Sequence, residues 1–271
     1  MTDQPPSRMR RWIPDHDVLP PTRLLIRIAA LVLFVVVGDR VTVFMTHREW
    51  ALDRDAVIAV RLLTSLPVIR YPFEGFVVAL EIDKWDWFWL AAGDQPEASQ
   101  TIYQEWDKVL DLFVLAMGLV ASLRWPDATV RRLLALTFVL RVAGVAAFLL
   151  TEQRWLLVAF PNVFENLFLM YAVFRLISGR GHMLVGRRST ILVSLVALAP
   201  KLVEEYFLHM LNRRPWDWVP LPVPDGIEPR IWIVAMYLPA LISVFLLAQR
   251  TALEVDSEVA PDGQVMLRES G

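Results

Sequence analysis

The chain contains no cysteine. Disulfides, thiolate nucleophiles and Cys-ligated zinc or iron–sulfur centres are therefore excluded. Lysine is nearly missing, with three residues against 24 arginines, a bias that fits a GC-rich bacterial source. An excess of charge is missing too. The net value is −2 over 271 residues, which gives no bulk attraction for nucleic acid. There is no long internal repeat and no low-complexity tract. The segment 1–23 carries Arg8, Arg10 and Arg11, but no cleavage pattern of small residues follows the first apolar run. That run therefore reads as a retained helix and not as a signal peptide.

What the chain does have is apolar length. It is 56% hydrophobic, with a mean hydropathy of +0.44, above the roughly 45–50% of a soluble domain. The excess is gathered into runs of about 15–20 residues, enough to cross about 30 Å of hydrocarbon. The fold class this predicts is all-α, a polytopic transmembrane helix bundle of about six spans. They are placed at 22–44, 103–123, 131–150, 155–177, 189–211 and 231–249. Residues 1–22 form a cytoplasmic N-terminal segment, 23–250 the helical domain, and 251–271 a polar, acidic tail expected to be disordered. Residues 47–102 are expected to form an extracytoplasmic insertion. Within it, 57–80 is apolar but interrupted by Arg61, Pro67, Arg70, Pro72 and Glu74. That density suits short interfacial or re-entrant helices rather than a lipid-facing span. A span hidden there would raise the count to seven. Arginines cluster before the first span and in the second-to-third and fourth-to-fifth turns, which predicts an N-in, C-in protein of the bacterial cytoplasmic membrane.

Polar residues converge on one side of this bundle. The second span opens with Asp107, Lys108 and Asp111. The fourth carries Asn162, Glu165 and Asn166 in its first half, and the fifth carries Lys201, Glu204, Glu205 and His209 in its second half. Consecutive spans alternate in direction, so all three sets lie toward the same side, whichever way the bundle inserts. Within each set the spacing is three or four residues, which is one helical stripe. Arg141, midway along the third span, is within reach. An unpaired charge at mid-membrane costs about 2.5–3.5 kcal/mol on the insertion scale, so these groups are expected to meet in the interior. Carboxylates so crowded cannot all ionise unless a cation sits between them. Pro161 and Pro200 each precede a polar set and free a carbonyl four residues back, at Leu157 and Val196.

Weaker signals surround these. Trp85-Asp86-Trp87 and Trp216-Asp217-Trp218 fall in presumed extracytoplasmic loops, where flat rings beside a carboxylate suit a sugar or lipid headgroup; tryptophan also forms ordinary interfacial belts. Glu204-Glu205-Tyr206-Phe207-Leu208-His209 resembles the EExxxR motif of the CAAX-type intramembrane proteases, with His in place of Arg. The resemblance covers six residues. That family carries further His-bearing motifs on later helices, and the one helix that follows here has no His or Asn, so its activity is not carried over. HExxH, a Gly-rich phosphate loop, a G-x-S-x-G elbow and an Asp-rich prenyltransferase motif are all missing.

Three functions fit these residues. The first is a membrane-embedded enzyme acting on a lipid or lipid-linked substrate. Glu165, Glu204, Glu205, His209, Asp107 and Asp111 would act as acid, base or metal ligands. Arg141, Lys201 and Lys108 would hold an anionic group, with Asn162, Asn166, Trp85, Trp87, Trp216 and Trp218 as further substrate contacts. A divalent metal would draw on Asp107, Asp111, Glu165, Glu205 and His209. The second is a proton- or ion-coupled transporter using the same carboxylates. The third is a non-catalytic accessory subunit. Membrane lipids and a lipid-linked or small-molecule substrate are the expected partners, and nucleic acid is not. A carboxylate-lined cavity open to one side favours the enzyme, and access from both sides favours transport. Packed ion pairs without a cavity favour the subunit.

Overall fold

The computed structural model describes residues 21–91, 97–178, 183–184, 186–211 and 228–258, and its regular elements are all helical. In chain order they are α1 (Pro21–His47), α2 (Arg54–Ser65), a 3-10 turn (Leu66–Ile69), α3 (Pro72–Ala91), α4 (Glu97–Ser122), α5 (Ala128–Thr151), α6 (Trp155–Ala159), α7 (Val163–Ser178), α8 (Gly186–His209) and α9 (Glu228–Glu258). Three stretches are long and apolar enough to cross a membrane: Thr22–His47, Ala128–Thr151 and Trp155–Ser178, the last of which combines α6 and α7. Val234–Ala248 is a shorter apolar segment. The other two expected spans, within α4 and α8, carry the charges that build the site below.

Side-chain contacts fix the directions. Arg27 meets Glu74 at 3.0 Å, the Trp85 indole N–H donates to Asp39 at 2.8 Å, and that of Trp89 donates to Thr42 at 3.0 Å. The partners advance together, so α1 and α3 run parallel. The chain returns between them through α2. The Leu52 N–H donates to the Trp89 carbonyl at 2.9 Å, and a β-carbon on Gly75 would lie 2.5 Å from the Val68 nitrogen. Residues 52–91 therefore form a hairpin that starts and ends at the far end of the bundle, opposite the start of α1. Arg124, just after α4, donates to the Ile69 carbonyl at the near end. From there α5 rises, α6–α7 descend and α8 rises again; Arg154 ties the far end of α8 through the Leu208 carbonyl at 3.0 Å.

Local chemistry explains the boundaries. Asp53 caps α2 by accepting from the Ala56 N–H at 2.8 Å, and Asp127 caps α5 through the Thr129 and Val130 N–H groups. The prolines that spoke against a helix in 57–80 sit at helix starts, where a missing N–H is harmless: Pro67 opens the 3-10 turn and Pro72 opens α3. Where short helices were expected, α3 is a continuous helix of 20 residues, about 30 Å at a rise of 1.5 Å per residue. Its charges turn inward or onto α1, which a lipid-facing helix could not do. The last helix continues to Glu258, into the stretch expected to be disordered. An aromatic core occupies the near half. Phe168 packs on Phe76 at 4.7 Å and on Trp125 at 5.0 Å, and Trp125 packs on Tyr171 at 4.7 Å.

Candidate functional site

Helix α2 buries one face, Val57, Arg61 and Ser65, at a spacing of four residues. That places Arg61, 2% exposed, between α3 and α4. Its guanidinium fork serves four carboxylates. One nitrogen meets Asp86 at 2.8 Å and Asp107 at 2.5 Å; the other meets Asp83 at 2.5 Å and Asp111 at 2.8 Å. Asp83 and Asp86 are three apart on α3, and Asp107 and Asp111 four apart on α4, so each pair lies on one stripe. Lys108 closes the α4 side, at 2.9 Å from Asp107 and 3.1 Å from Asp111. The Tyr103 hydroxyl donates to Asp86 at 2.6 Å.

A second cluster faces the first from α5, α7 and α8. Lys201 sits 3.0 Å from both Glu165 and Glu204, and the Tyr237 hydroxyl of α9 donates to Glu204 at 2.8 Å. Glu205 receives Arg141 at 3.2 Å, His209 at 2.9 Å and the Asn162 N–H at 3.2 Å. Asn162 also donates its side-chain amide to Glu165 at 2.9 Å. The cluster depends on a broken helix. Pro161 separates α6 from α7, and Arg141 donates to the carbonyls left at the end of α6, Phe160 at 2.9 Å and Leu157 at 3.4 Å. Leu157 is the carbonyl expected to be freed. Gly144, one turn beyond Arg141, permits this approach, because a β-carbon there would overlap the Phe160 side chain. Near Pro200, which lies inside the continuous α8, Asn166 donates to the Ala197 carbonyl at 2.7 Å, one residue from the position expected.

Between the clusters lies a cavity of about 140 Å³. Its polar lining comprises Arg61, Asp83, Lys108 and Asp111 on one side and Arg141, Asn162, Glu165, Lys201, Glu204, Glu205 and His209 on the other. Phe76 of the aromatic core also lines it. Drug-sized ligands need roughly 300–1,000 Å³, so this space suits several waters or one small headgroup. The lining holds five carboxylates against four cations. With Asp86 and Asp107 behind Arg61 the count becomes seven against four.

The expected residues are distributed as follows. Asp111, Glu165, Glu204, Glu205, His209, Arg141, Lys201, Lys108 and Asn162 all line the cavity, while Asp107 stands behind Arg61 and Asn166 is occupied with the α8 backbone. Arg141 pairs with Glu205, and Glu165 pairs with Lys201. Trp85 and Trp87 are not on a loop. Both belong to α3, and Trp85, 2% exposed, is wedged against Gly38 and Phe34 of α1, so it cannot serve as a headgroup platform. Trp87 packs edge-on against Tyr103 at 4.9 Å. Trp216 and Trp218 lie outside the described residues. Sequence reasoning took Arg61 only as an interruption of 57–80 and Asp86 only as the carboxylate between two tryptophans, and it missed Asp83. A lone arginine in an apolar stretch, followed by acids three apart, was the available signal.

The metal reading can be tested on this geometry. Among the described residues one group of three carboxylates, Asp83, Asp86 and Asp107, has ligand atoms within 4.8 Å of each other, and the Arg61 guanidinium bonds all three. The resident cation is an arginine, so the group does not fit a metal ion. Of the other candidates, Asp111 is held by Lys108, Glu165 by Lys201 and Glu205 by Arg141, while His209 bonds Glu205. An anionic ligand meets the same difficulty, since Lys108, Lys201 and Arg141 are each already matched by carboxylates. No family model, curated protein or solved structure matches the chain, and the chemistry rests on these residues alone.

Proposed function

We propose that the chain is a polytopic protein of the bacterial cytoplasmic membrane, with a polar site in the extracytoplasmic half of its bundle. There it acts on a lipid or lipid-linked substrate by general acid–base chemistry. Six spans fit the element directions: α1, α4, α5, α6–α7, α8 and α9, with the α2–α3 hairpin returning to the side it left and both termini in the cytoplasm. Because the hairpin is even in crossings, it leaves the parity of the arginine-rich turns unchanged.

The observation that carries the enzymatic reading is the Glu205–His209 pair at the cavity wall. Glu205 accepts from Arg141, the Asn162 N–H and His209 Nε2. It is thus fixed from three directions and orients the imidazole as a base is oriented in other acid–base sites. The His209 Nδ1 has no partner among the described residues. An imidazole so held can take a proton from a substrate hydroxyl or water and return it. The test is to reconstitute the protein in a bacterial lipid extract and follow lipid composition by mass spectrometry. Time-dependent conversion, lowered about 10²–10⁴-fold in His209→Gln with unchanged thermal unfolding, is the expected result. Conversion that is indifferent to His209 removes the reading.

A second reading, an ion-coupled transporter, is favoured by the interrupted α6–α7 helix. Broken helices whose ends meet charged groups are a recurring transporter device. Ion flux into proteoliposomes without lipid conversion would select it.

A further inference from the structure

We propose that the cavity binds a primary ammonium group, carried by a lipid headgroup or by a free amine. This rests on the reading of the cavity as a substrate site and names the class of group that enters it.

The first argument is charge. Seven carboxylates stand against four lysine and arginine cations, and carboxylates so crowded can all ionise only where a further cation joins them. The second is hydrogen bonding. Each carboxylate has two acceptor oxygens. Asp83 uses one of them on Arg61, Glu165 uses one on Lys201 and Asn162, and Glu204 uses one on Lys201 and Tyr237. Among the described residues their second oxygens accept from no donor. Asn162 is 6% exposed and lines the cavity, and its side-chain oxygen is likewise without a donor. Four acceptors on the walls of one cavity call for a donor, and an ammonium group supplies three N–H bonds and one positive charge together.

A divalent ion would supply the charge but not the fit. Calcium takes six to eight oxygens and magnesium a near-octahedral set. The one clustered trio of carboxylates is filled by Arg61. The oxygens that remain belong to α3, α7 and α8 and the turn before α7, on opposite walls, and suit a group with donors fanned out over a wider span. Leu80, Val114 and Leu208 are among the apolar residues of the lining and give a surface for the carbons that an amine carries and a metal ion does not.

The experiment uses the full chain in detergent and in nanodiscs. Thermal unfolding is followed with ethanolamine hydrochloride, tetramethylammonium chloride and magnesium chloride, and native mass spectrometry measures retention of phosphatidylethanolamine against phosphatidylglycerol. The expected result is saturable stabilisation by ethanolamine, retention of the ethanolamine lipid, or both. Tetramethylammonium, which carries charge without N–H donors, is expected to have no effect. Glu165→Gln is expected to weaken the effect at least tenfold. Should that variant not fold, Asn162→Ala removes one acceptor and no charge and is expected to weaken it in the same sense. Lipid retention without an ethanolamine effect assigns the group to a headgroup; the reverse assigns it to a free amine. Magnesium acting at lower concentration than ethanolamine, equal action by tetramethylammonium, or no binding of either amine overturns the proposal. Lost ammonium binding with lipid conversion intact removes this inference alone. Ammonium binding without conversion removes the acid–base reading alone.

Discussion

Arg61→Met is the most informative perturbation of the bundle. The guanidinium is 2% exposed and touches four carboxylates at 2.5–2.8 Å. Removing it leaves Asp86 with the Tyr103 hydroxyl, and Asp107 and Asp111 with Lys108. Breaking one buried ion pair costs about 3–5 kcal/mol, because the surviving charge is left without compensation. Here several charges share one cation, so the upper part of that range applies. At roughly 2–4 °C per kcal/mol, the melting temperature should fall by on the order of 10 °C or more. Arg61→Lys should fall between the two, since a compact ammonium with three donors replaces a planar fork with five. Tryptophan fluorescence during thermal unfolding in detergent measures all three proteins. The cause can be separated from simple loss of packing. With Arg61 gone, Asp83, Asp86 and Asp107 keep ligand atoms within 4.8 Å of one another, and millimolar calcium or manganese should restore much of the stability of Arg61→Met while leaving the wild type unmoved. Adding Asp86→Asn and Asp107→Asn to Arg61→Met should also recover stability, because the uncompensated charge is removed. If Arg61→Met melts with the wild type, or if neither cation nor paired neutralisation helps it, the hub is not an electrostatic keystone.

Other outcomes follow from single contacts. Gly144→Val should destabilise by about 1–3 kcal/mol, since its branches meet Phe160, and should weaken the site by pushing α5 away from the α6 carbonyls; thermal unfolding beside lipid conversion checks both. Trp85→Phe should cost about 1 kcal/mol for the bond to Asp39, and Trp85→Ala about 3–5 kcal/mol for the lost packing on α1; equal costs would contradict the wedge. Glu165→Gln should abolish activity while expression changes little, and activity that tracks expression instead would make Glu165 a structural residue. Reporter fusions after Leu123 and after Gly181 should both read as cytoplasmic, and an external signal at either would reverse the orientation.

Much of the site was legible because helical periodicity and alternating direction are properties of the linear chain. Glu165, Lys201, Glu204, Glu205 and His209 occupy predictable stripes, and antiparallel neighbours bring the start of one span beside the end of the next. The stretch 57–93 was not legible in the same way. Its prolines and charges were weighed against a lipid environment, whereas they are satisfied by protein: Pro67 and Pro72 at helix starts, Glu74 by Arg27, Asp83 and Asp86 by Arg61. A hydropathy argument prices each charge as if alone, and it cannot see a partner 22 or more positions away. For the same reason Trp85 read as an interfacial ring, although the space that receives it is made by Gly38 on another helix.

The sequence by itself determined an all-helical chain with apolar runs of membrane length, no cysteine chemistry, and acidic and basic residues spaced to share helix faces. Those follow from composition and from the helical period, which need no knowledge of neighbours. Only the tertiary structure decided which charge answers which: Arg61 rather than a metal ion among the aspartates, Glu165 on Lys201, Glu205 on Arg141, and the α6 carbonyls on that same arginine. Opposite charges attract at any register that brings them within a few ångströms. The choice among several possible partners is therefore made by packing, by a glycine that lets α5 approach and a proline that breaks the helix across from it.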